Sequence, residues 1–118
     1  MKVNLVGNKN QKLMKLEEDY IDEKKKIQKE QEELKQSQYK NNMELNDLSE
    51  NAVRALHEFN DDSGIKKCVL RISEVKDEIN HLYNQGIISL SEKLENLKKN
   101  FDKKVQKIEE SKKDDEKE

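Results

Sequence analysis

Proline and tryptophan are absent from this chain of 118 residues, cysteine occurs once and glycine three times. Without proline, nothing forces a helix to end or fixes a rigid turn. The single Cys68 rules out an internal disulfide and suits a reducing compartment. No glycine-rich loop is present to cradle a phosphate. Aromatic residues make up 4% and apolar residues 31% of the sequence. That is too little to offset chain entropy by filling a globular core. No apolar run approaches the ~18 residues of a membrane span. The opening Met1-Lys2-Val3-Asn4-Leu5-Val6-Gly7 is too short and too polar for a cleaved signal peptide. A cytoplasmic protein is expected, and any export would bypass the general secretory route.

What the sequence does hold is charge. Charged residues make up 42%, with 24 Lys and Arg against 26 Asp and Glu and a net charge of −2. The two signs are interspersed, as in the pairs Asp22 and Lys26, Lys26 and Glu30, Glu95 and Lys99, and Lys98 and Asp102. Such i,i+4 pairs belong to a solvated helix surface, each contributing about 0.2–0.5 kcal/mol. They do not form the basic patch that binds nucleic acid. High charge with few aromatics is also the composition of a disordered chain. Sustained heptad spacing distinguishes the two cases, because a coiled coil needs only a narrow apolar seam.

That spacing is interrupted once, at Asn60-Asp61-Asp62-Ser63-Gly64. Before the break, apolar residues recur at Leu13, Leu16, Tyr20, Ile27, Leu34, Leu45, Leu48, Ala52, Ala55 and Phe59. After it they recur at Ile65, Cys68, Ile72, Val75, Ile79, Leu82, Leu90, Leu94, Leu97, Phe101, Val105 and Ile108. The pattern predicts an all-α antiparallel two-helix coiled-coil hairpin over residues 10–112. A flexible arm (1–9) precedes it and a disordered charged tail (113–118) follows. The first helix is expected from about Asn10 to about Asn60, and the second from Ser63 or Gly64 to about Ser111. Asn60 can take a left-handed C-cap, and Asp61, Asp62 or Ser63 can cap the second helix. Folding the chain about Asp62 sets Ile27 against Leu97, Leu34 against Leu90, Ala55 against Val69 and Phe59 against Ile65.

The seam has irregularities. Lys24, Gln31, Gln38 and Asn41 stand where apolar residues are expected. Polar seam residues fix register at a cost in stability, or mark a stretch that needs a third helix. In the second helix the steps through Ile79, Tyr83, Ile87 and Leu90 make an eleven-residue element that unwinds the supercoil. Gly86 lies inside it. Asn84-Gln85-Gly86 can end a helix and Ser89-Leu90-Ser91-Glu92 has the form of a capping box. The second helix is therefore either continuous and kinked, or broken near Gly86.

No catalytic constellation is expected. His57 and His81 lie in opposite halves, and neither has a Cys or His at zinc-ligand spacing. Cys68 with His57 would need contact and a third, orienting group to act as nucleophile and base. No pair of carboxylates is set in a dry pocket, as acid–base chemistry requires. The expectation is no enzyme activity, no metal and no cofactor. The functional signal is a second apolar stripe. Met14, Ile21, Tyr39 and Met43 lie about 140° around the first helix from its seam. Leu70 and Ile88 lie about five turns apart on an outer face of the second. A hairpin needs one stripe per helix, so a second stripe implies another helix to cover it. Methionines suit an adaptable helix-binding face.

Length, two long helices, a central turn, the lack of a signal peptide and a charged tail together resemble the small helical-hairpin proteins of type VII secretion in Gram-positive bacteria. More narrowly, the chain is similar to the small α-helical partners encoded with LXG-domain toxins. The resemblance implies that it binds the helical targeting domain of a secreted effector, masks its apolar faces and helps present it for export. A second small helical protein can take part, and the chain can be co-secreted. The family's Trp-x-Gly turn is replaced here by Phe59-Asn60-Asp61-Asp62-Ser63-Gly64. Its Tyr-x-x-x-Asp/Glu export signal has no match, since Tyr20, Tyr39 and Tyr83 are followed four places on by Lys24, Met43 and Ile87. No export residue carries over. The competing reading is a self-associating structural coiled coil: a homo-oligomer, a phage or cell-division component, or an export-ATPase stalk. A prefoldin-like holdase would need strands beside the turn, for which only Lys67-Cys68-Val69-Leu70-Arg71-Ile72 is available.

Overall fold

The structure is a computed structural model that describes the backbone of residues 2–117 and the side chains of residues 10–111. The chain is all-α. Helix α1 (Lys2–Glu58) and helix α2 (Asp62–Lys117) are joined by one tight turn and pack antiparallel as a two-helix hairpin. Both helices pass the ends expected near Asn10 and Ser111, because no proline stops them. The side chains of the expected arm (1–9) and tail (113–118) lie outside the described residues.

The turn explains where α1 stops. Asn60 has φ 54°, the left-handed conformation expected of it. The amide of Asp61 donates to the Leu56 carbonyl at 3.1 Å, and that of Asn60 to the His57 carbonyl at 3.0 Å. These two bonds make a Schellman stop. Asp61 then caps α2, its Oδ1 accepting the Gly64 amide at 2.8 Å. A Cβ on Gly64 would run into that carboxylate. The turn is thus tighter than the expected 60–64, since Asp62, Ser63 and Gly64 already belong to the first turn of α2. Two outcomes are expected in thermal melts. Asp61→Ala lowers stability by about 1 kcal/mol through the lost cap. Asn60→Ala lowers it by about 1 kcal/mol, because a Cβ without a hydrogen-bonding side chain is disfavoured at positive φ.

The hairpin divides into two compact units. The terminal unit comprises Met1–Glu30 with Leu90–Glu118, and the turn unit comprises Gln31–Ser89.

In the terminal unit the inward side chains are Leu13, Leu16, Tyr20 and Ile27 from α1, and Leu90, Leu94, Leu97, Phe101, Val105 and Ile108 from α2. This is the heptad seam expected from sequence. Ile27 and Leu90 are the buried apolar residues of the described chain. Tyr20 stacks on Phe101 with ring centroids 4.4 Å apart, and the Lys24 ammonium lies 5.9 Å over the Tyr20 ring. Lys24 is exposed, so no core side chain fills that seam position.

The turn unit keeps an eleven-residue period on both helices. Its half-buried α1 residues are Gln31, Leu34, Gln38, Asn41, Asn42, Leu45, Ser49, Ala52, Val53 and Leu56. Leu34, Leu45 and Leu56 recur at eleven-residue intervals, as do Gln31, Asn42 and Val53. On α2, Cys68, Ile79 and Leu90, and likewise Ile72 and Tyr83, keep the same interval. Eleven residues make three turns of 3.67, so the helices pack here without left-handed supercoiling. The eleven-residue element expected on α2 therefore has a counterpart on α1. Its consequence is that Leu48, Ala55, Phe59 and Leu82, all placed in the seam by heptad counting, are exposed.

The pairing shifts with the turn. Asn41 donates to the Tyr83 hydroxyl, Gln38 to Asn80 Oδ1 at 3.2 Å and Asn84 Oδ1 at 3.3 Å, and Gln31 Nε2 to the Ile87 carbonyl at 3.5 Å. The chain thus folds about Asn60 and Asp61 rather than Asp62. Leu34 accordingly packs on Gly86, and a Cβ on Gly86 would stand 3.3 Å from its Cδ1. Val69, Phe59 and Ala55 are exposed, so the expected Ala55–Val69 and Phe59–Ile65 pairs are not buried layers of the seam. Helix α2 runs unbroken through Gly86.

Candidate functional site

Cys68 is a half-buried free thiol. No group of three or more His, Cys, Asp or Glu among the described residues could hold a metal. Lys26 pairs with Glu23 at 3.7 Å, Arg54 with Glu50 at 3.9 Å and Arg71 with Glu74 at 3.4 Å. All six side chains are more than half exposed, so these are solvated pairs of small energetic effect. Lys26 thus takes Glu23 rather than the expected Asp22 or Glu30.

What the surface does carry is apolar. Met14, Ile21, Tyr39, Met43, Leu70 and Ile88 are all exposed. The structure distributes them rather than gathering them. Met14 and Ile21 stand on the terminal unit, one heptad apart on α1. Tyr39, Met43, Leu70 and Ile88 stand on the turn unit, the first two on α1 and the last two on the face of α2 opposite its seam. Each helix therefore presents its own line.

Sequence reasoning missed a further set. Leu48, Phe59, Val69 and Leu82 are also exposed, Phe59 at 81% and Leu82 at 66%. Phe59 is the last residue before the left-handed Asn60, so the seam at that level is made by Val53 and Leu56 instead. Leu34, Asn41 and Leu48 follow one another at seven-residue intervals along a line that drifts out of the eleven-residue seam. Leu34 and Asn41 meet Ile79, Leu82 and Tyr83 in an open groove of about 350 Å³. The groove is apolar apart from the Asn41–Tyr83 hydrogen bond. The signal that could have found this set was in the chain, since extending the eleven-residue step from α2 to α1 expels Leu48 and Phe59.

The seam beneath the groove is polar. Gln31, Gln38, Asn41, Asn42 and Ser49 occupy its α1 side, with Asn80 and Tyr83 opposite. Asn42 Oδ1 is enclosed and accepts no hydrogen bond. A second groove, of about 220 Å³, lies in the terminal unit between Leu16, Tyr20, Leu97 and Phe101, rimmed by Asp19, Glu23, Asn100 and Lys104. Both grooves are shallow troughs between helices, a shape that receives side chains from another helix. No helix among the described residues is long and apolar enough to cross a membrane. No protein-family profile, curated protein or solved structure matches the chain.

Proposed function

We propose that this chain is a non-enzymatic binding partner that docks its exposed apolar lines against the helical domain of a larger protein. The observation that carries the reading is its surface. A compact protein of 14.0 kDa exposes about 6,700 Å². This chain exposes 9596 Å². The excess is what two helices without a globular core leave open. Among the described residues, ten large apolar side chains stand exposed, more than scattered singletons require.

The more specific reading is a targeting chaperone or adaptor for a type VII secreted LXG-type effector, resident in the cytoplasm and able to leave with its cargo. It is supported by the two-helix hairpin architecture, the tight central turn and the lines of apolar residues on both helices. The test is co-expression with the N-terminal helical domain of an LXG protein from the same genome. A stoichiometric complex should form, and changing Met14, Ile21, Tyr39 and Met43 to serine should weaken it at least a hundredfold with the far-UV circular dichroism of the free chain unchanged. Failure of the two proteins to associate would remove the secretion reading.

A further inference from the structure

We propose that α2 holds a latent break between Gly86 and Glu92, continuous in this structure and able to convert into two capped helices. Three features meet there. Gly86 sits mid-helix, where glycine is the weakest helix former after proline. Its missing side chain seats Leu34 Cδ1, and it can take the left-handed conformation that ends a helix. Three residues on, Ser89 and Glu92 stand at capping-box spacing, both exposed and so able to turn onto the backbone without disturbing the seam. Gln31 reaches across from α1 to the Ile87 carbonyl, whose own helical donor is the Ser91 amide. A side chain entering the helix ladder in this way marks a bend or a break.

When the break forms, the Ser89 hydroxyl accepts the Glu92 amide and the Glu92 carboxylate accepts the Ser89 amide. Gln31 keeps the Ile87 carbonyl satisfied. The Leu90 and Ser91 amides are released to solvent. Ile88, one of the exposed apolar residues, lies inside the break, so docking at Ile88 and opening of the helix act on the same few residues.

Residue-resolved hydrogen exchange on the full chain tests this. The Leu90 and Ser91 amides should exchange at least tenfold faster than those of Lys76–Ile79 and Leu97–Phe101. Gly86→Ala should slow them at least threefold. A proline inside the first turn of a helix is tolerated. Ser91→Pro should therefore lower the Tm by less than half as much as Asn96→Pro, whose site lies in the middle of the second segment. Equal protection from residue 76 to residue 101 would overturn the proposal, as would a proline at 91 that is as damaging as one at 96.

Discussion

Leu90→Ala should lower stability by about 2–3 kcal/mol and the Tm by roughly 10 °C. Leu90 is only 7% exposed and, with Ile27, forms the buried apolar pair of the described chain. Removing its side chain gives up the transfer free energy of a buried leucine and leaves a gap that two helices cannot easily close. In a globular protein a core of many such residues shares the loss. Here few side chains leave water fully, so a single truncation removes a large share of the total. The contrast is built into the same helix: Leu82→Ala, at an exposed site, should change stability by less than about 0.5 kcal/mol. Urea or thermal unfolding followed at 222 nm measures both.

Asn42→Leu should raise stability by about 1–2 kcal/mol. The Asn42 side chain is half-buried with its Oδ1 enclosed and unbonded. A polar atom withdrawn from water without a partner costs about 1–3 kcal/mol. An apolar side chain of similar reach removes that cost and adds burial. The site shares the eleven-residue line of Val53, so an apolar residue there extends an existing row. Replacing Asn41 alone should help less, because it leaves the Tyr83 hydroxyl without its donor. That a single substitution can improve the turn unit by this much means its seam is not set for stability. Gln31, Gln38 and Asn41 fix which residues of α2 they meet, and the polar seam leaves this unit the more easily rearranged on binding.

The sequence analysis reached the architecture because the determinants are local. Apolar spacing, the absence of proline, and Asn60 and Asp61 as stop and start signals all act within a few residues. The seam of α1 was legible up to Leu45 for the same reason. Beyond it, counting sevens fails, since the packing steps from Asn41 to Leu45 to Ser49. Only the partner helix, with its own eleven-residue element at Ile79–Leu90, dictates that step. Serine at position 49 gives no apolar signal to follow, whereas Leu48 beside it gives a false one. The turn shows the same limit: several residues between Asn60 and Ser63 could cap a helix, and the choice of Asp61 shifts the pairing of the unit that carries it. The exposure of the six outer apolar residues was legible because each lies well away from any seam, on either count. Val69 and Leu82 were not, because their exposure depends on how the helices meet.

The central claim is that these apolar lines stand open for a different protein. Light scattering across a concentration series, with far-UV circular dichroism on the same samples, tests it most directly. The account predicts a helical monomer whose molar mass does not change with concentration and whose melt is broad. A mass that climbs to a dimer or tetramer, with a sharp melt that moves up with concentration, would contradict it, since a second copy would then be covering the faces assigned to the partner.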